Sequence, residues 1–323
     1  MVVEQDAIAP TDFDSPWKEA LEVYFDSFML FFFPHIHAEI DWKKGHAFLD
    51  KEFQEIVRDA ATGRRYVDKL VKVFLPDGKE TWLLIHIEVQ SSAEKLFPKR
   101  MLTYNNRISD AYDVEVVSLA ILSDDNPAYR PDHYRHERWG CEHIFRFPTA
   151  KLLDYKENWP ALEKSPNPFS MVVMAHLKSL EVKDGHERKR WKLRLVRLLY
   201  ERGYEKKDVL DLFRFIDWLL ALPKALEKEL REELQALDEE RKMPYVTNIE
   251  RFAKEEGALQ NAREMVLEAL NIRFKSVPED IASALQAMDS GDMLKSLLRQ
   301  AITCRSLASF RKALQSAVAG AST

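Results

Sequence analysis

Hydrophobic positions recur with two different periods along the 323-residue chain, and the period changes twice. Near the start, an apolar stretch has the helical period, with Ser15 as a typical N-cap, Pro16 at the first helical position and Pro34 as the expected end. Over residues 52–90, apolar and polar residues alternate as they do in strands. Beyond Thr149 the helical period returns. The chain is therefore predicted to have an α/β first half and an all-helical second half.

Three segments of the alternating region predict a meander of strands: EFQEIV (52–57), YVDKLVKVFL (66–75) and TWLLIHIEVQ (81–90). Turn-type residues separate them. A helix is expected over about residues 94–112. The almost wholly apolar run at 115–123 then predicts a strand buried on both faces, and a further strand is expected near 143–147.

The second half divides into amphipathic segments that predict helices at 167–181, 187–203, 205–223 and 224–242. Pro278 interrupts the last region, which predicts two or three more helices. The expected domains are a disordered segment at 1–14, an α/β core at 15–150, a helical domain at 151–243 and a C-terminal region at 244–323. The C-terminal region suits oligomerisation, as a homo-oligomer, or docking.

Charge, cysteine content and the length of apolar runs limit the class of protein that this chain can be. The net charge is -5, so nucleic-acid binding would have to come from local basic patches. Cys141 and Cys304 lie far apart and predict no disulfide, and no apolar run is long enough to cross a bilayer. The start does not have the pattern of a signal peptide. These features predict a cytoplasmic globular protein with no membrane partner.

Two acidic residues are the strongest chemical clue. If the turn at 76–80 closes a hairpin centred on Gly78, Asp68 lies directly opposite Glu88, on the face that also carries Trp82 and His86. Two like charges in such positions repel each other unless a cation lies between them. Mg²⁺ prefers carboxylate oxygens and retained waters, which predicts a metal site. The alternative is that both acids face solvent and pair with nearby cations, namely Lys69, Lys72 or Arg65.

Six strings together resemble a known family: FLDKEF (48–53), VDKLVKVFLPDG (67–78), WLLIHIEVQ (82–90), RMLTYNNRISDAY (100–112), VVSLAILSDDNPAYRPD (116–132) and WGC (139–141). With the helical stretches at 191–204 and 213–223, the chain resembles the PD-(D/E)XK nuclease superfamily. Within it, the chain looks like the Rpn/YhgA-like branch of recombination-promoting nucleases and transposase-like proteins. The resemblance implies an αβββαβ core with a mixed sheet, followed by an all-helical C-terminal extension.

The same resemblance assigns residues to roles. It implies that Asp68 and Glu88 are metal ligands, and that Gln90 takes the position of the superfamily's catalytic lysine. Glutamine can orient a water but supplies no charge. Lys72, which shares the strand parity of Asp68, is a candidate to supply it. Glu52, at the entry to the first predicted strand, is a candidate third carboxylate, and its alternative is a solvated residue at a strand edge.

Candidate DNA contacts lie on two predicted helices. Arg100, Tyr104 and Arg107 share one helical face, and in this superfamily the corresponding helix packs near the active site. The alternative is a structural arginine paired with Asp110 or Asp113. A second stripe, on the helix predicted at 187–203, is formed by Arg190, Arg194 and Arg197. This stripe could bind DNA phosphates. The alternative is that the three arginines form an ordinary solvated helix face.

One further cluster is made of residue types that bind zinc. The segment 133–143 contains His133, His136, Cys141 and His143, which are individually good zinc ligands. Their spacing is not that of a known zinc finger, so no structural zinc site is predicted.

The sequence therefore predicts a Mg²⁺-dependent DNA endonuclease that hydrolyses phosphodiester bonds in recombination or transposition-like DNA processing. Asp68 and Glu88 would hold the metal and Gln90 would orient the attacking water. One alternative is a DNA-binding or protein-interaction module that keeps the nuclease fold with a weakened site. Another is a scaffold that assembles through its C-terminal helices.

Overall fold

The computed structural model describes residues 14–49, 67–77, 80–88, 95–241, 245–304 and 306–320. The chain divides into two compact units, Met1–Leu234 and Gln235–Thr323. The predicted strand at 52–57 and most of the predicted disordered segment at 1–14 lie outside the described residues. The first unit combines a sheet with helices and the second is helical, so the predicted α/β class with a helical C-terminal region is confirmed.

The described residues contain seven strands: β1 (Ala47–Phe48), β2 (Val67–Phe74), β3 (Glu80–Glu88), β4 (Val116–Leu122), β5 (His133–Arg138), β6 (Cys141–Arg146) and β7 (Thr149–Lys151). The thirteen helices of the same residues are α1 (Asp14–Val23), α2 (Phe25–Phe32), α3 (Pro34–His37), α4 (Phe97–Tyr112), α5 (Trp159–Lys164), α6 (Pro168–Glu181), α7 (Gly185–Glu201), α8 (Lys206–Leu219), α9 (Lys224–Arg241), α10 (Tyr245–Phe274), α11 (Glu279–Gln286), α12 (Gly291–Thr303) and α13 (Leu307–Gly320). Short 3₁₀ turns cover Trp42–Lys44 and Leu152–Asn158.

Five strands form a mixed sheet in the order β1-β2-β3-β4-β7. The first three pair antiparallel, whereas β3 with β4 and β4 with β7 pair parallel. Helix α4 connects β3 to β4, because parallel neighbours need a crossover connection. The predicted mixed sheet is therefore present.

Helices cover both faces of this sheet. On one face, Val71, Leu83 and Ile121 belong to the largest hydrophobic cluster, together with buried residues of α1, α2, α6, α7 and α8. On the other face, α4 packs against Leu70 and Trp82 of β2 and β3, and against residues of β4. Residues 118–122 are buried throughout, which confirms the prediction of a strand with two covered faces.

The N-terminal region departs from prediction. Instead of one helix ending at Pro34, the chain forms α1, α2 and α3, with breaks at Tyr24 and Phe33 where the backbone leaves helical geometry. Pro34 lies in the first turn of α3, where an N–H has no intrahelical partner and its absence costs nothing. The helix before Pro34 ends at Phe32, so the predicted end is confirmed, and the proline also begins α3. What the prediction missed is the break at Tyr24.

The helices after residue 150 follow the predicted boundaries closely, because N-capping side chains are present at their first turns. The side chain of Asn167 accepts a hydrogen bond from the backbone N–H of Phe169 at 2.9 Å, and that of Asp184 accepts from Glu187 at 2.8 Å. Gly203, with φ +67°, follows the end of α7. These helices and the sheet share one hydrophobic cluster, so the predicted boundary at residue 150 falls inside the first unit.

A hairpin of β5 and β6 stands apart from the main sheet. Both of its strands are largely exposed, and its turn is formed by Trp139 and Gly140, with φ of +54° and +81°. The prediction included a strand near residues 143–147 but not its partner, β5. Cys141 is exposed in β6, and Cys304 is buried in the second unit.

The second unit has a hydrophobic core of its own, which includes Leu270, Leu294 and Phe310. Four helices of this unit, α10 to α13, replace the predicted two or three. Met265 and Ile272 lie seven residues apart on α10 and are exposed, which keeps the predicted docking or oligomerisation role open as a prediction. Among the described helices of the whole chain, none combines the length and apolarity that crossing a bilayer requires.

Candidate active site

The strand register fixes where the two predicted metal ligands stand in the sheet. Phe74 lies opposite Glu80, so the loop is centred on residue 77, and Asp68 lies opposite His86. The predicted pairing of Asp68 directly opposite Glu88 is therefore wrong by two residues. A shift of two preserves strand parity, so positions 68 and 88 are diagonal neighbours on the face that α4 covers. Diagonal neighbours lie about 7–8 Å apart, which long side chains can bridge.

Position 88 ends β3 at the carboxyl edge of the parallel part of the sheet. Glu88 pairs with Leu122 of β4, and Leu122 pairs with Lys151 of β7. In open α/β sheets this edge is where ligands usually bind. The predicted Gln90 and Glu52 lie outside the described residues.

A buried ion pair stands at the same edge. The Lys151 Nζ lies 2.6 Å from the Asp124 Oδ2, and the side chains are only 2% and 0% exposed. The second carboxylate oxygen of Asp124 accepts from the backbone N–H of Asn126 at 3.0 Å. Sequence reasoning missed both residues. The pair joins the end of β4 to β7, so Asp124 lies beyond the strand next to β3 and Lys151 lies one strand further.

The two lysines of β2 point to different surroundings. Lys69 pairs with Glu22 of α1, so it lies on the opposite face from position 68, as predicted. Lys72 shares the parity of position 68, pairs with Trp82 in the register, and its Nζ lies 5.7 Å from the Phe74 ring centre. Four residues of strand separate Lys72 from position 68, about 13 Å at the usual rise. Lys72 is therefore too far away to replace the missing lysine at the same phosphate.

Helix α4 supplies a basic group to the same face of the sheet. Tyr104 is buried against Leu70 and Trp82, so it is a core residue of this layer. Arg100 and Arg107 are half-buried at either side of it, and the Arg100 guanidinium lies 5.3 Å from the Phe97 ring. The Arg107 Nη1 is buried and donates no hydrogen bond within the described chain.

The alternative for this helix was a structural arginine paired with Asp110 or Asp113. Among the described residues, no ion pair joins Arg107 to either carboxylate. A buried guanidinium nitrogen without an acceptor is unfavourable in water-free surroundings. It becomes favourable when an anion such as a phosphate oxygen is supplied. The phosphate contact of Arg107 stays a prediction.

The second basic stripe lies elsewhere. Arg190, Arg194 and Arg197 line an open cavity of about 430 Å³ on α7, together with Glu163 and Glu201. Arg194 already pairs with Glu163 at 2.5 Å, so part of its charge is neutralised. The buried side of α7 packs on the sheet face opposite to α4. The structure thus does not bring this stripe together with positions 68 and 88.

Only two histidines of the hairpin face each other, and His133 lies on the opposite face from them. His136 lies opposite His143, and Cys141 lies opposite Arg138. Within the described side chains, no group of three or more histidine, cysteine, aspartate or glutamate residues is arranged to hold a metal ion. The side chains of Asp68 and Glu88 lie outside the described part of the structure.

Comparison with known proteins adds no relative. No protein-family model, no curated protein and no solved structure matches the chain. The family resemblance therefore rests on the sequence strings given above.

Proposed function

We propose that the chain is a metal-dependent DNA endonuclease with a PD-(D/E)XK-like core. The observation that carries the proposal is the register of β2 and β3, which assigns Asp68 and Glu88 to diagonal positions on one face. The order of elements also supports it, since helices precede antiparallel strands, and a crossover helix then leads to a parallel strand. Recombination or transposition-like DNA processing is the context that the resemblance adds.

The donor chemistry at these positions fits Mg²⁺ or another divalent cation. Two carboxylates at about 7–8 Å separation of their strand positions suit a shared cation that keeps several waters. Glu52 remains the proposed third carboxylate. When bound, such a metal would act as a Lewis acid for the phosphodiester and lower the pKa of a water.

The side chains of this chain would divide the remaining work. Asp68 and Glu88 would hold the cation, and Gln90 would orient the attacking water through its amide without supplying charge. Arg107 would donate a hydrogen bond to a phosphate oxygen, because it stands half-buried on the helix that covers the face of positions 68 and 88. Arg100, at the N-terminal end of the same helix, would contact a neighbouring phosphate of the DNA backbone.

One observation favours a second candidate function. Gln90 stands where the superfamily has lysine, so a DNA-binding module with a weakened catalytic site is the alternative. Such a module would bind DNA and leave it intact.

Supercoiled plasmid incubated with the protein and Mg²⁺ tests the proposal. The wild type should nick or linearise the plasmid, chelation of Mg²⁺ should stop it, and Asp68→Asn and Glu88→Gln should each reduce the rate roughly 100-fold or more. Glu115→Gln is the matched control, because Glu115 is an exposed carboxylate just before β4, at the other edge of the sheet.

The outcomes separate the two candidates. DNA binding without cleavage by the wild type supports the module. Cleavage that persists in both Asp68→Asn and Glu88→Gln refutes the assignment of the site.

A further inference from the structure

The β5–β6 hairpin is a long exposed ribbon that the proposed mechanism does not use. Its strands run through His133–Arg138 and Cys141–Arg146, and six residues of strand extend about 20 Å. All but Tyr134 and Phe145 among the strand residues are exposed. Apart from these two residues, the ribbon gains little from packing within the chain, so its exposed surface is available to a partner.

The two faces of the hairpin differ in charge. One face carries the cross-strand pairs Tyr134 with Phe145, His136 with His143, and Arg138 with Cys141. None of these six residues is acidic. The other face carries Glu137 and Glu142, and both are within 2.9 Å of the Arg135 guanidinium. The face with Arg138, called here the acid-free face, therefore presents an uncompensated cation beside aromatic and imidazole rings.

The tip of the hairpin holds an aromatic side chain in an unfavourable position. Trp139 is 94% exposed and has φ +54°, a conformation that Asn or Gly adopts more readily in this kind of turn. The Arg138 guanidinium lies 4.7 Å from its ring. A large apolar ring, kept in solvent and in a strained backbone, has no structural reason within the described hairpin and suits insertion into a partner.

The root of the hairpin lies beside the candidate active site. Phe145 packs on the cluster that contains Ala120 and Leu122 of β4. These two residues pair with positions 86 and 88 of β3. The root of the ribbon therefore packs near β4, the strand that neighbours β3 in the sheet.

We infer that this hairpin binds duplex DNA, with Arg138 on the phosphate backbone and the Trp139 ring inserted in a groove. The major groove admits a two-stranded ribbon, and phosphates complement the acid-free face. The inference rests on the proposed nuclease function for its choice of nucleic acid and assigns that function a DNA-engaging element. The hairpin would hold the duplex while the phosphodiester lies at positions 68 and 88.

The test is a titration of a fluorescein-labelled duplex of about 30 base pairs by fluorescence anisotropy, with EDTA present so that binding is measured without cleavage. Trp139→Asn should weaken binding about tenfold, because a stacking or wedging ring is lost. The variant creates an Asn-Gly turn, which this geometry prefers, so its melting temperature should be no lower than that of the wild type. Arg138→Gln should lower the slope of log Kd against log salt concentration by about one.

Two matched controls isolate the effect. The double variant Arg135→Gln with Glu142→Gln changes the other face of the hairpin at constant net charge, and it should bind DNA as the wild type does. Lys228→Gln removes one exposed cation on α9, and it should leave both Kd and the salt slope unchanged.

Each outcome is decisive for the hairpin. Loss of affinity in Trp139→Asn and Arg138→Gln, with normal controls, supports the inference even if the wild type never cleaves DNA, a result that would refute only the nuclease proposal. Unchanged affinity in both variants overturns the inference, even if the wild type cleaves plasmid. Failure of the wild type to bind the duplex at low salt, or equal losses in the controls, also overturns it.

Discussion

At the scale of single residues, the imidazole of His176 shows how burial changes the pKa of a side chain. His176 lies in α6 with no solvent exposure. Its Nδ1 accepts a hydrogen bond from the Trp17 indole at 3.3 Å, so its Nε2 carries the proton and donates to the Ser123 carbonyl at 2.9 Å. Burial lowers the pKa of His176 to about 4, although the hydrogen bond to Ser123 acts in the opposite direction.

The stability of the fold should depend on pH through His176. The unfolded chain binds a proton at this histidine below pH of about 6.5, and the folded chain does so only below about 4. The free energy of unfolding should therefore be unaffected above pH 6.5 and should fall by roughly 3 kcal/mol as the pH drops from 6.5 towards 4. Urea unfolding across this range measures it. His176→Gln should show a shallower pH dependence, and identical slopes would contradict the assignment.

Residue positions in the sheet were only partly predictable. Strand parity placed Asp68 and Glu88 together and Lys69 on the opposite face, because alternation is a local property. Their exact partners depended on the length of the turn, which was taken as centred on residue 78 instead of 77. Asp124 and Lys151 could not be predicted as a pair, since they meet only through the pairing of β4 with β7.

At the scale of elements, helix starts depend on single capping side chains. Asp184 caps α7, where its carboxylate accepts the backbone N–H of Glu187. We expect Asp184→Ala to lower the free energy of unfolding of the first unit by about 1 kcal/mol, because one N–H of the first turn loses its partner. Asp184→Ser should restore most of the loss, since serine also caps. Urea unfolding measures both variants. If Asp184→Ser loses as much free energy of unfolding as Asp184→Ala, the capping role is contradicted.

Elements were predictable where a periodic apolar face exists. Helices α6 to α9 bury such a face, and their predicted ends lie within a few residues of the observed ones. Strand β5 was missed because its residues are exposed on both sides, so no alternation marks it. Pro34 marked the end of α2 correctly, whereas the break at Tyr24 was missed because no proline or glycine stands there.

At the scale of the whole molecule, the two units have separate cores and unequal tryptophan content. All seven tryptophans lie in the first unit, between positions 17 and 218. Indole fluorescence therefore reports the first unit alone, while far-ultraviolet circular dichroism reports both. Sequence periodicity predicted a helical C-terminal region, but the observed division at residue 234 falls within α9, where no break in the helical pattern marks it.

This division predicts an asymmetric response to a core substitution. Phe310 is fully buried in the core of the second unit. Phe310→Ala should destabilise that unit by about 3–5 kcal/mol through the cavity it leaves. In urea, the dichroism should then show an earlier transition while the fluorescence midpoint stays at its wild-type value. A parallel shift of both signals would mean that the units unfold as one.

The contrast between the two thiols also has a practical consequence. Cys141 is exposed on the hairpin beside Arg138, whereas Cys304 is buried. A maleimide dye added to the native chain would thus couple at one place, a few residues from Trp139, with no engineered cysteine. The unmodified protein therefore offers a labelling site for a fluorescent reporter of binding at the hairpin.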